Sequence, residues 1–166
     1  MPLFNDAANE AFATARTNDP VLSTLEVSHV SLDRNLYLIA DRQSRALPLE
    51  LGADPVLFEA AGLEIGLPAT NQDGVQDMSF SISNINLKAS DFFREALKFP
   101  EFEILLTFRP YLLSDLTQPS HNAPLSLSVA GVQINSLQVD GSASLAGITD
   151  RQFLTELYTE ERFPSL

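Results

Sequence analysis

The sequence predicts a mainly β protein: an antiparallel β-sandwich or barrel with an N-terminal helix and one internal helix. Three observations carry this expectation. Apolar and polar residues alternate one by one in short runs such as Leu25–His29, Met78–Ser83 and Leu125–Val129, the pattern of a strand with one face buried. Clusters of Asp, Asn, Gly and Pro separate those runs at short intervals. Strands do not alternate with long helical stretches, so βαβ units and a parallel sheet are not expected. The 166 residues fit one domain, 1–166, in which folding buries roughly 70% of the unfolded surface.

The elements follow in order. Phe4, Ala8, Ala11, Phe12 and Ala15 recur at helical spacing, with Asn5 as N-cap, and Asn18-Asp19-Pro20 ends that helix. Leu25, Val27 and His29 alternate with Thr24, Glu26 and Ser28 in a half-buried strand, and Leu36–Ala40 is its hairpin partner across Asp33-Arg34-Asn35. Strands are expected at Ala46–Leu51 and Val56–Ala60, then at Leu63, Ile65 and Leu67 before Pro68. Thr70–Gly74 is a turn, and Met78, Phe80 and Ile82 alternate with Ser79, Ser81 and Ser83 beyond it. The serines suit a face that stays wet.

The internal helix is expected over Ala89–Phe99, started by Ala89 or Ser90 and stopped by Pro100. Asp91 in the first turn and Lys98 in the last match the helix dipole. Phe92, Phe93, Ala96, Leu97 and Phe99 form its apolar face, which would pack over one open end or face of the barrel. Glu103–Arg109 is a strand, and Thr117–Pro124 an exposed loop with two prolines. Leu125, Leu127 and Val129 mark a further strand. Val132–Asp140 continues as another into Gly141, with Ser142–Leu145 beyond.

Charge and composition exclude several functions. Twenty-two acids oppose ten bases, a net charge of −12, and the excess is spread over both halves of the chain. Such a surface repels phosphate backbones, so reading or coating nucleic acid is not expected. Cysteine is absent, which removes disulfides, thiolate metal sites and cysteine nucleophiles together. Apolar runs fall far short of a membrane span and no basic-then-apolar leader opens the chain, so a soluble protein made in the cytoplasm is expected, without membrane insertion.

The chemistry-bearing residues form no catalytic, cofactor or metal constellation. His29 and His121 are far apart in sequence and lack ligand spacing. His29, on the Leu25/Val27 face, is expected to be a hydrogen-bonded core or interface imidazole, and His121 a solvated loop residue. Gly141–Gly147 contains serines but not the Gly-x-Ser-x-Gly spacing, and Glu160-Glu161 would point apart rather than form a dyad. The protein is therefore expected not to be an enzyme and to hold no cofactor or metal.

The C-terminus stands out instead. Tyr158-Thr159-Glu160-Glu161-Arg162-Phe163-Pro164-Ser165-Leu166 is apolar and stiffened by proline, where termini usually become small and polar. Tyr158, Arg162, Phe163, Pro164 and Leu166 are the candidate subunit-interface residues, since aromatics and arginine are common interface anchors. Packing on the chain's own domain has equal weight for Phe163 and Leu166.

The run from Arg151 to Leu166 resembles the C-terminal signature of an uncharacterised family of tailed-phage and prophage minor tail, distal-tail-like proteins. The signature is Arg-x-Phe, then Tyr-Thr-x-x-Arg-Phe-Pro-x-Leu; Arg151, Phe153, Tyr158, Thr159, Arg162, Phe163, Pro164 and Leu166 match it, and Ser165 stands where glycine is common. Glu10-Ala11-Phe12, Phe58–Leu67, Val75–Asn84 and the set Arg109, Tyr111, Ser114, Asp115 and Pro119 are similar to other parts of the family, so the likeness spans nearly the whole chain.

The resemblance implies a tail-tube-like barrel or sandwich that forms a homo-oligomeric ring, a hexamer. Such a virion protein would join the tail tube to the tail-tip hub or baseplate of a long-tailed phage. It implies the tail tube protein, the tail-tip hub and the tape-measure protein as partners, with DNA only passing through the lumen. Arg109 and Tyr111 would then brace the Ser114–Pro119 loop. The alternative is a carbohydrate- or ligand-binding barrel at the tail tip, weakened by the lack of tryptophan. A wall-degrading hydrolase is weaker still.

Overall fold

The computed structural model describes residues 20–66, 77–83, 87–120 and 124–145. Nine strands and one helix follow in chain order: β1 (Val21–His29), β2 (Leu36–Ile39), β3 (Arg45–Pro48), β4 (Pro55–Ala60), β5 (Leu63–Gly66), β6 (Asp77–Ser83), α1 (Lys88–Ala96), β7 (Ile104–Leu112), β8 (Leu125–Ile134) and β9 (Gln138–Leu145). The protein is mainly β, as its sequence pattern predicts. The expected N-terminal helix, the Thr70–Gly74 turn and His121 lie outside the described residues.

All nine strands belong to one sheet, ordered β3-β4-β2-β1-β7-β8-β9-β6-β5. Every pairing is antiparallel except β2 with β4, where Leu38 and Ile39 run parallel to Glu59 and Ala60. The sheet is open, with β3 and β5 at its edges, yet only Ala61 and Gly62 separate β4 from β5. The Ala61 N–H donates to the Ile39 carbonyl at 3.0 Å, and the Ser83 N–H to the Gly62 carbonyl at 2.7 Å. One continuous stretch thus pairs with β2 at its start and with β6 at its end. It draws the two flanks of the sheet together in a sandwich-like curl.

The curl encloses the main core. Leu25, Val27, Leu36 and Leu38 meet Met78, Phe80, Ile82, Leu106, Leu127, Val139 and Ala143, with α1 supplying Ala89, Phe92, Phe93 and Ala96. Positions 89, 92, 93 and 96 fall on one helical face, which is why this segment is a helix that packs on the sheet. Phe93 stacks on Phe80 with ring centroids 6.0 Å apart, and Phe92 meets Phe93 edge-on at 6.1 Å. Full burial of each such ring is worth about 1.5–3 kcal/mol. A second, smaller core lies on the other face of β1, β2 and β7, where Leu22, Ile39 and Tyr111 are covered by Leu47 and Phe58 of the β3–β4 hairpin.

That second core corrects one expectation: β1 is buried on both faces, not one, with Thr24 and Glu26 buried as well as Leu25 and Val27. Other boundaries shift for local reasons. The helix begins after Leu87, which sits in the left-handed region at φ 57°, so neither Ala89 nor Ser90 starts it. It ends at Ala96: the Leu97, Lys98 and Phe99 N–H groups still bond back to Phe93, Glu95 and Ala96, but as tightening turns ahead of Pro100. Leu97 and Phe99 consequently leave the apolar face, and Arg94, not Lys98, is the base of the last turn.

The first of the middle strands stops at Pro48, so Leu49–Leu51 form a bend and turn. The run from Val132 to Asp140 is not one strand. β8 continues past Val129 through a bulge at Ala130 to Ile134, turns over 135–137, and returns as β9. Sequence alternation hides this because the bulge resets the inside–outside phase by one residue.

Gly141 faces Phe80 in the β6–β9 register. A Cβ there would enter the Phe80 ring and lie 2.7 Å from the Gly131 carbonyl oxygen. Gly141→Ala should therefore destabilise by about 1–3 kcal/mol, seen in urea as a lower midpoint at unchanged slope.

Candidate functional site

The second face of the central strands carries the most concentrated polar chemistry. Alternation along β1 and β7 sets Thr24 and Glu26 beside Arg109 and Thr107, since Thr24 pairs with Arg109 and Glu26 with Thr107. The Arg109 Nη1 donates to the Glu26 Oε2 at 2.6 Å, and both side chains are buried. Asn35 Nδ2 donates to the other Glu26 oxygen at 2.8 Å and lies 3.3 Å from the Tyr37 hydroxyl. Thr24 Oγ1 donates to the Arg109 carbonyl at 2.7 Å.

Each oxygen of Glu26 thus has a donor, while Arg109 Nε has no partner. A carboxylate held by a fixed cation and an amide is poorly placed to transfer protons. The arrangement is a buried network in which the guanidinium and the amide hold the carboxylate in place.

Tyr111 extends the network. Its hydroxyl donates to the Pro48 carbonyl at 2.7 Å and fastens the β3–β4 hairpin. Burial pushes this hydroxyl up to about 12, with Arg109 opposing the rise and Glu26 reinforcing it. The Ser114–Pro119 loop, which Arg109 and Tyr111 are expected to brace, lays Leu116 against the buried cluster that includes Tyr111, while the polar ends turn elsewhere, Arg109 to Glu26 and Tyr111 to Pro48. The loop is held by Asp115, whose Oδ1 accepts from Thr117 Oγ1 at 2.5 Å and from its N–H at 3.0 Å. Those bonds hold the Asp115 carboxyl below its usual range. The Ser120 N–H returns to the Pro110 carbonyl at 2.7 Å, and Ser120 is buried where an exposed loop is expected.

Two ion pairs tie α1 to the rest. Lys88 reaches Glu59 of β4 at 2.5 Å, and Arg34 reaches Glu95 at 3.1 Å. A cavity of about 320 Å³ lies at the seam of β4, β5 and the start of α1, bounded by Leu38, Glu59, Gly62, Ile82 and Lys88. Two of its charged residues, Glu59 and Lys88, pair with one another, and Asp41, which pairs with Arg45, and Arg42 complete its charged lining.

The outward face of β5, β6, β8 and β9 is a band of small hydroxyls. In register across the strands, Glu64 faces Ser81, Ser81 faces Asp140, and Asp140 faces Gln133. Ser79 faces Ser142, and Asp77 and Ser128 face Ser144. Hydrogen bonds from Ser81 first, then Gln138, hold the Asp140 carboxyl below its usual range, so its negative charge persists. No Lys or Arg lies in these four strands.

One corner is different in kind. His29 ends β1, buried, with its Nδ1 accepting from the Ser31 N–H at 3.3 Å and its Nε2 unpartnered. The expectation of a hydrogen-bonded imidazole holds for one nitrogen only. The ring sits against Phe99 at 6.4 Å and Phe102 at 6.2 Å. Those two phenylalanines are 38% and 45% exposed, Leu97 beside them 50%, and Val30 next to His29 79%. A groove of about 260 Å³ runs between this corner and β8, walled by Leu97, Phe99, Phe102, Ile104, Val129 and Val132. Sequence reasoning misassigned Leu97 and Phe99 to the helix face; their position before Pro100 was the signal that they leave it.

The five candidate interface residues, Tyr158, Arg162, Phe163, Pro164 and Leu166, lie outside the described residues. Among the described residues, no cluster of His, Cys, Asp and Glu could hold a metal ion, and no helix is long and apolar enough to cross a membrane.

The polar network yields two tests. Arg109→Met leaves Glu26 buried and uncompensated and should cost about 3–5 kcal/mol, whereas Glu26→Leu with Arg109→Met should recover most of the loss; chemical denaturation of both variants measures this. For Tyr111, the folded state keeps its proton up to about pH 12, while the unfolded chain releases it near pH 10. Stability is thus fully present below pH 10 and falls as pH rises toward 12. Tyr111→Phe should flatten that alkaline decline in thermal melts.

No curated protein sequence matches this one. A family profile described as a domain of unknown function, DUF1833, matches residues 7–158, which include every described strand and α1. The chain therefore belongs to the DUF1833 family.

Proposed function

We propose that this domain is a structural subunit that acts by assembly, as a ring-forming distal tail or minor tail adaptor in the virion of a long-tailed phage. It would join the tail tube to the tail-tip hub or baseplate. The observation that carries the assembly reading is the apolar corner. Leu97, Phe99 and Phe102 stand partly exposed around an open groove, whereas the buried Glu26–Arg109 pair and the Glu59–Lys88 pair neutralise themselves. Exposed apolar surface gathered in one place marks an interaction site more often than a scattered residue does.

The tail assignment draws on the resemblance of Arg151–Leu166 to the minor tail signature, which implies a hexameric ring. The hydroxyl band with Glu64, Asp77 and Asp140 fits a wall along which DNA moves without adhering, since it offers the phosphates no cation. Tail tube, hub and tape-measure proteins are the proposed neighbours.

Analytical ultracentrifugation with negative-stain imaging of the purified full chain tests this. Ring-sized particles that grow with concentration are expected. A species that stays monomeric at every concentration and binds glycans would replace the adaptor with a receptor module.

A further inference from the structure

We propose that the groove beside β8 receives the C-terminal segment Tyr158–Leu166 of a second copy, added as an extended strand along the free edge of β8. This rests on the self-assembly reading and specifies its contact.

The edge comes from the sheet register. β7 and β8 pair from Phe108↔Leu125 only as far as Leu105↔Ser128. β8 then continues through its bulge to Ile134 and, among the described residues, pairs there with β9 alone. β7 has meanwhile given way to the turn that carries Leu97, Phe99 and Phe102. The result is a gap with unpaired backbone along one side and apolar side chains along the other. A strand edge of this kind recruits an extended peptide, whose backbone bonds to the edge while alternate side chains fill the groove.

The C-terminal segment has the matching chemistry. In an extended strand Phe163 points to the face opposite Arg162, so it enters the groove walled by Phe99 and Phe102 while Arg162 stays at the rim. Pro164 stiffens the backbone, which lowers the ordering cost of binding. Arg162 would meet Glu101 and Glu103, both exposed beside Phe102 at the rim, and together they outweigh Lys98.

Strand direction favours a second copy over the same one. Along β9, Gly141, Ser142 and Ala143 stand level with the groove-lining Val132, Gly131 and Val129; the strand then runs on past them to Leu145, opposite Leu127. The chain therefore leaves the sheet heading away from its own groove. Residues 146–157 can span up to about 40 Å when extended, enough to reach a neighbour.

The test places p-benzoylphenylalanine at position 102 of the full chain, irradiates it, and maps the products by denaturing gel and mass spectrometry. Covalent dimers joined to a peptide within 158–166 are expected. Links to that segment within one monomer would overturn the proposal, as would dimers joined to residues 1–19 or elsewhere. In parallel, Arg162→Glu should weaken self-association about tenfold, and Glu103→Arg on that background should restore most of it. If sedimentation shows assembly intact while the links fall elsewhere, the groove contact fails and the self-assembly reading stands. A chain that is monomeric throughout sinks both.

Discussion

The ladder between β1 and β7, from Val21↔Leu112 to His29↔Ile104, is buried on both faces, and much of the structure follows from that constraint. On one face the strands meet the main core with ordinary apolar residues. On the other, the β3–β4 hairpin covers part of the surface, so polar side chains there must find partners inside the protein. Glu26 takes both Arg109 and Asn35, Thr24 bonds to a backbone carbonyl, and Tyr111 reaches the hairpin itself. Such a network adds little net stability compared with apolar packing, but an incomplete one costs several kcal/mol. Its effect is to fix how the hairpin lies on the sheet.

The same constraint separates the covered part of the sheet from its apolar, exposed corner. Where the central strands are covered, charges are paired and carbonyls are satisfied. Where β1 ends at His29 and β7 begins at Ile104, the cover stops, and the turn after α1 lays aromatic side chains over the opening. The helix is held from two sides, at Lys88 by β4 and at Glu95 by the β1–β2 turn, so the turn that follows it is placed by a firmly seated element. Exposed phenylalanines on a seated turn form a preorganised surface, which reduces the entropy lost on association.

The strands were legible where alternation was clean. Met78, Phe80 and Ile82 point inward and their serines outward, as period-two spacing requires. Leu36–Ile39 pairs with β1 across the expected turn. Failures came from tertiary context. Glu26 looks like a solvent-facing residue of a half-buried strand, because nothing local reveals that Arg109, 83 residues away, lies beside it. The strand expected over Val132–Asp140 is split by the turn at 135–137, and the bulge at Ala130 joins its first part to the Leu125–Val129 run, since one extra residue leaves composition unchanged while shifting the phase. The apolar corner was visible only as apolar residues; that Leu97 and Phe99 turn outward depends on where the helix stops. The terminal residues Tyr158–Leu166 stood out by composition alone, and composition cannot say what a segment touches.

The separation in sequence between β1 and β7 also bears on how the chain is made. Glu26 and Arg109 are 83 residues apart, and Thr24 and its carbonyl partner at Arg109 are 85 apart. The central ladder can close only after translation has passed β7, and contacts between such distant segments form slowly. Until then β1 pairs with the nearby β2, and the edge that β7 will occupy stays open in the nascent chain. Closure of the sheet around β1 therefore waits on the later half of the same chain.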